Sequence, residues 1–112
     1  MPSDYVIYHN PRCSKSRQAL ELLRQRGIEP RIIEYLKTPP DLKTLRSLGL
    51  PARELLRDNE DDYVALDLAN PGKTEAELLS AIVKHPVLLQ RPIVVHGTRA
   101  IVARPPEKVN DL

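Results

Sequence analysis

The stretch Tyr5-Val6-Ile7-Tyr8-His9-Asn10-Pro11-Arg12-Cys13-Ser14-Lys15-Ser16-Arg17 reads as strand, tight loop, cysteine, helix, and the rest of the chain has to fold around it. Tyr5 to Tyr8 are β-branched or aromatic, which suits a pleated, buried strand. Asn10-Pro11 ends it in a turn. From Ser14 the spacing becomes helical, with Ala19, Leu20, Leu22 and Leu23 on one side and Ser, Lys, Gln, Glu and Arg on the other. Cys13 therefore falls at a helix N-terminus, where unpaired backbone N–H groups and the helix dipole favour a thiolate. Arg12, Lys15, Arg17 and His9 lie close to it in sequence. A free cysteine is often only a small buried hydrophobe. One flanked by Arg12, Ser14 and Lys15 is badly placed to fill a core and reads instead as a reactive thiol.

At 112 residues the chain predicts one domain with a core of its own. A single cysteine cannot form an internal disulfide, and residues 1–4 lack a basic-then-apolar leader pattern. No apolar run approaches a membrane span. A soluble, cytoplasmic protein is expected. A net charge of +2, with basic and acidic residues interspersed, does not describe a nucleic-acid surface. Arginine outnumbers lysine, which suits bidentate recognition of an oxyanion. With four Tyr and no Phe or Trp the core has to be aliphatic. The prolines fall at element boundaries rather than in a low-complexity tract.

Gly27 supplies a left-handed stop for the first helix. Arg31-Ile32-Ile33-Glu34-Tyr35 then predicts a second strand, so the N-terminal part is a βαβ unit with a parallel, right-handed connection. After Thr38-Pro39-Pro40 the pattern becomes helical. Leu42, Leu45 and Leu48 recur at threes before Gly49. Pro51 opens a helix over Ala52 to Arg57 that ends near Asn59, and a further helix is expected from Asp61 to Leu68. Asn70-Pro71-Gly72-Lys73 is a turn. Thr74 and Glu77 match a capping box, followed by an apolar face of Leu78, Leu79, Ile82 and Val83 that ends before Pro86. Ile93 to His96 and Ala100 to Val102 predict a hairpin about Gly97-Thr98, and Pro105-Pro106 the start of a last helix.

A βαβ unit with a thiol at its first helix, followed by a helical stretch and a ββα unit, resembles a thioredoxin-like α/β fold with a mixed four-stranded sheet and a helical insertion at about 40–86. The motifs narrow the resemblance. His9-Asn10-Pro11-Arg12-Cys13-Ser14-Lys15-Ser16-Arg17, Ala52-Arg53-Glu54-Leu55-Leu56-Arg57, Arg91-Pro92-Ile93-Val94-Val95 and Ala103-Arg104-Pro105 occur in order, and the chain is similar from Tyr5 to Leu112 to the glutaredoxin-dependent arsenate reductase family. That resemblance implies Cys13 as catalytic cysteine, His9 as a histidine beside it, Arg57, Arg91 and Arg104 as the arginines that hold the oxyanion, and Pro92 as a cis-proline near the site. It implies arsenate or a similar oxyanion as substrate, glutathione as co-substrate, glutaredoxin as partner, no bound cofactor and no metal. A monomer is expected. The longer members of the family continue in a C-terminal tail beyond the position of Leu112.

On the residues alone, bland readings stand beside these. Arg57 reads equally as a solvated helix residue, Arg91 as a helix cap, Arg104 as a surface residue at a hairpin end, and His9 as a structural histidine bonded to backbone. Ser16 stands where a dithiol redox protein has its second cysteine, so an external thiol is required to resolve any intermediate on Cys13. A non-catalytic, redox-sensing regulator that binds RNA polymerase is the alternative of the same fold; such proteins carry a two-cysteine switch, which is missing here. A phosphatase is disfavoured, because Cys13 and Arg17 are too close in sequence to surround a phosphate together.

Overall fold

The computed structural model describes residues 4–112, which divide into two compact units: 4–38 with Arg91–Leu112, and Pro39–Gln90. The first carries a mixed four-stranded sheet. Strands β1 (Tyr5–His9), β2 (Arg31–Glu34), β3 (Ile93–His96) and β4 (Arg99–Val102) lie in the order β2-β1-β3-β4. The α/β, thioredoxin-like fold class expected from the sequence is the one observed.

Strand β2 runs parallel to β1, with His9 opposite Glu34, and β3 runs antiparallel, with Tyr8 opposite Ile93. Strand β4 is antiparallel to β3, with Val102 opposite Ile93. One consequence positions the site. The end of β1, the end of β2, the start of β3 and the end of β4 all fall at the same edge of the sheet. Asn10, Tyr35, Pro92 and Ala103 are the first residues beyond these strands, and Arg91 and Arg104 lie one residue further out. Gly97, with φ +61°, makes the sharp turn between β3 and β4 that this register requires.

Helix α1 (Ser14–Gln25) connects the parallel strands. Its Ala19, Leu20 and Leu23 are buried with Tyr5, Ile7, Val94, Ala103 and Val109, while Leu22 is only partly buried at the margin. The same periodicity carried back one turn reaches Ser16, which is fully buried. Gly27 follows the helix at φ +76°, as its position in the sequence suggests. The chain ends in a 3-10 helix, Pro106–Asp111, rather than the α-helix expected after Pro105-Pro106. Arg26 reaches across from the end of α1 and donates to the carbonyls of Val109 and Leu112. The core is not purely aliphatic, since Tyr5, Tyr8 and Tyr35 are buried in it.

The second unit is helical: α2 (Leu42–Ser47), α3 (Ala52–Leu55), α4 (Asp61–Ala65), α5 (Glu75–Lys84) and a 3-10 turn, Pro86–Leu88. The Thr74–Glu77 capping box at the start of α5 is present in both directions. Two helices are shorter than expected. Helix α3 stops at Leu55 because Leu56 becomes extended and bridges Leu89, with Arg57 N–H donating to Leu88 O and Gln90 N–H to Leu55 O. Helix α4 stops at Ala65 because Asp67 turns left-handed at φ +55°, which returns Leu68 N–H to Tyr63 O and buries the Leu68 side chain. No helix among the described residues is long and apolar enough to cross a membrane.

Leu23→Ala should lower the free energy of unfolding by about 2–5 kcal/mol, since a fully buried leucine is removed. Leu22→Ala should cost clearly less. Urea unfolding of both variants checks the order, and equal losses would contradict the packing face described.

Candidate active site

The turn between β1 and α1 is fixed by Asn10. Its carbonyl accepts from Cys13 N–H at 3.0 Å, its side-chain Oδ1 accepts from Arg12 N–H at 3.0 Å, and its own N–H donates to Ser16 Oγ at 3.1 Å. Ser16 Oγ is also 2.6 Å from His9 Nδ1. These bonds join the last residue of the strand to the first turn of the helix, and Cys13 is left at the N-cap, partly exposed. An N-cap side chain lies where the N–H groups of the second and third helical residues point. Here those belong to Lys15 and Ser16.

Burial pushes the Cys13 thiol up, but the backbone N–H of Ser16, the side chain of Arg91 and the backbone N–H of Lys15 outweigh it, so its pKa lies below the usual thiol value. The cation that acts on the thiol therefore comes from the residue before the Pro92 that leads into β3, not from the sequence neighbours of Cys13. Burial also works against the charge on Arg91, yet its contacts with Cys13 and Tyr35 more than offset this and hold it cationic. Arg104 Nη1 donates to the Arg91 carbonyl at 3.0 Å, and the Arg91–Pro92 peptide is cis, as the resemblance implied. The Arg104–Pro105 peptide is cis as well.

Desolvation, with Arg24 and Arg17 acting in the same direction against Glu34, lowers the pKa of His9 and so disfavours a positive charge on the ring. Arg57 lies in the helical unit, where its guanidinium donates to Glu60 Oε1 and to Gln90 Oε1, both at 3.1 Å. It is nearly buried, with 11% of its side chain exposed, and so is not the solvated helix residue that its sequence alone allows. Among the described residues no group of three His, Cys, Asp or Glu is arranged to hold a metal ion.

The ArsC family model matches residues 8–112. The chain belongs to the ArsC family. Within it, the Escherichia coli K12 protein YfgD, described as uncharacterized, is 48% identical over 117 residues, covering 100% of this chain and 98% of that protein. The arsenate reductase of Neisseria meningitidis serogroup A is 50% identical over 108 residues, covering 92% of each. The solved structure of an arsenate reductase from Vibrio cholerae superposes with a TM-score of 0.93 at 41% identity, over 99% of this chain and 98% of that one. The family expected from the four motifs is thus the family found.

Three positioning residues of this ArsC site were not singled out from the sequence. By sequence Tyr35 marks only a strand end, although parallel pairing of β2 with β1 puts it beside the cysteine turn. Ser16 stands only where a second cysteine would be, although helical spacing places it on the buried face. Asn10 marks only the break of the strand.

Alkylation of Cys13 by iodoacetamide, followed against pH, should give a thiol pKa below the free-cysteine value of about 8.5. Arg91→Ala should raise it. A wild-type value at or above 8.5, or no change in the variant, would show that the thiol is not activated in this way.

The His9 shift gives a second expectation. A histidine with a lowered folded-state pKa binds its proton less readily than in the unfolded chain, so stability is fully present above pH 6.5 and declines as pH falls from there toward the folded value. Melting temperature should drop over that interval, and His9→Asn should flatten the slope. A His9 ring that titrates at or above 6.5 by NMR would reverse the sign.

Proposed function

We propose that this protein reduces arsenate to arsenite, with Cys13 as nucleophile and glutathione and glutaredoxin as the source of electrons. The observation that carries the reading is the pairing of a low-pKa Cys13 with the Arg91 guanidinium in a chain of the ArsC family that has only one sulfur nucleophile. Proteins named arsenate reductase match 92% and 99% of its length.

The physical difficulty of the reaction is that a thiolate must approach an oxyanion of the same sign. Arg91 answers it, being permanently charged and able to offer paired N–H groups to the incoming oxygens. Arg104, held to the Arg91 carbonyl, supports the same edge of the sheet. Arg57 is assigned to oxyanion binding by the resemblance.

In the proposed sequence the Cys13 thiolate forms a sulfur–arsenic bond and water leaves. Glutathione then bonds to the same arsenic and a second water leaves. A glutaredoxin thiolate next attacks the glutathione sulfur; a mixed disulfide forms between those two, and the electron pair of the sulfur–arsenic bond returns to arsenic. Hydrolysis frees arsenite and the Cys13 thiol. Two electrons are transferred and two external thiols are oxidised. Ser16 cannot supply either, because a hydroxyl forms no sulfur–sulfur bond and this one is buried against His9 and Asn10.

Arsenite formation measured with glutathione and glutaredoxin should disappear in Cys13→Ser. Arg91→Ala should lower kcat/KM for arsenate by about 10²–10³, the usual loss when one charge-stabilising donor is removed. Arg104→Ala and Arg57→Ala should raise KM for arsenate. Thioredoxin with its reductase should not sustain turnover without glutathione; multiple turnovers under that condition would refute the external-thiol scheme.

A further inference from the structure

A cavity of about 240 Å³ opens beside the cysteine turn, lined by His9, Asn10, Pro11 and Arg12 on one side and by Glu34, Leu36 and Lys37 on the other. It lies wholly within the sheet-bearing unit. Buried His9 and Asn10 form its floor, and exposed Pro11, Arg12, Leu36 and Lys37 its rim. None of these charges is used by the chemistry at Cys13 described above. The Arg12 guanidinium has no hydrogen-bond partner among the described residues, in contrast to Arg17, which is spent on the Pro11 carbonyl. Lys37 and Glu34 form an ion pair at 3.7 Å, with 77% and 38% of their side chains exposed. An exposed pair of that kind is worth about 0–1 kcal/mol, so both groups can turn to a ligand at little cost.

The rim thus presents two cations about one carboxylate. That pattern complements a zwitterionic amino-acid head: an α-carboxylate for the arginine and lysine, an α-ammonium for the glutamate. The volume is below the range of about 300–1,000 Å³ that encloses a drug-sized ligand, so the cavity seats one arm of a tripeptide and not the whole of it. One wall is formed by His9 to Arg12, the residues that lead directly into Cys13, so a seated molecule lies one residue along the chain from the thiol.

We propose that this cavity is the glutathione subsite, with the γ-glutamyl head held by Arg12, Lys37 and Glu34 and the cysteinyl arm extending over the turn to Cys13. The assignment rests on the reading that glutathione is the co-substrate, and it names where that molecule binds. Leu36 and Pro11 supply the apolar contact for the methylenes of the γ-glutamyl arm.

Binding is tested apart from chemistry by titrating the full chain with S-methylglutathione, which can form no disulfide, and following backbone amide shifts. The amides of Asn10, Arg12, Glu34, Leu36 and Lys37 should move. Arg12→Ala and Lys37→Ala should each weaken binding about tenfold, and Glu34→Gln by a similar factor. S-methylcysteinylglycine, which lacks the γ-glutamyl head, should bind at least tenfold more weakly than S-methylglutathione. Lys84→Ala, in the helical unit, should change nothing. In turnover, Arg12→Ala should raise KM for glutathione and leave KM for arsenate unaltered.

Shifts confined to other residues, or affinity unchanged in both Arg12→Ala and Lys37→Ala, would overturn the subsite. The two readings fail separately. If no arsenate is reduced but S-methylglutathione binds at these residues, the subsite stands and the reaction does not. If glutathione-dependent turnover is found while these residues do not respond to S-methylglutathione, the reaction stands and the subsite falls.

Discussion

A negative charge on Cys13 has to be held where burial alone would remove it, and the first unit is organised to meet that requirement. The helix N-terminus supplies two backbone N–H groups, from Ser16 and Lys15, and the segment leading into β3 supplies the Arg91 guanidinium. Neither would be aimed at the sulfur without the turn that Asn10 closes. Asn10 uses its carbonyl, its side-chain oxygen and its N–H on three different partners within that turn. A polar group satisfied in this way loses little by burial, whereas an unsatisfied one would cost about 1–3 kcal/mol. The hydroxyl of Ser16 completes the network and takes up one nitrogen of His9.

This arrangement separates two roles that the sequence runs together. His9 and the basic residues around Cys13 look like a single cluster of positive charge. In the folded chain desolvation disfavours the charged form of His9, and Arg17 is turned to the Pro11 carbonyl. The cation that lowers the pKa of the thiol is Arg91, whose own charge is reinforced by the thiol and by Tyr35. Mutual stabilisation of this kind is self-consistent, because each member raises the ionisation of the other. It also leaves Arg12 and Lys37 at the rim of the neighbouring cavity, available to a charged ligand.

The helical unit shows how a strand-like contact can place a side chain more firmly than a helix would. Had α3 continued to Asn59, Arg57 would sit on a helix surface. Instead Leu56 and Leu89 pair as a short bridge, which brings Gln90 alongside Arg57, and Glu60 binds the other side of the guanidinium. An arginine held by two partners has given up much of its side-chain freedom before any ligand arrives, and pre-ordering of that kind reduces the entropic cost of binding.

Local pattern was enough to determine the strand–turn–cysteine–helix order, the Gly27 stop, the capping box at Thr74 and Glu77, and the hairpin about Gly97, because each depends on residues within a few positions of one another. The family, too, was readable, from four motifs in order. Tertiary structure alone decided which cation meets the thiol. Arg91 reaches Cys13, and Tyr35 reaches Arg91, because β2 is parallel to β1 and β3 antiparallel to it, a pairing that carries their ends to one edge of the sheet. The ends of α3 and α4 escaped the sequence for the same reason. Helical periodicity continues through both, but a long-range bridge at Leu56 and the burial of Leu68 outweigh the local preference. The charge state of His9 likewise depends on how much water the fold removes from it, and no spacing in the sequence encodes that quantity.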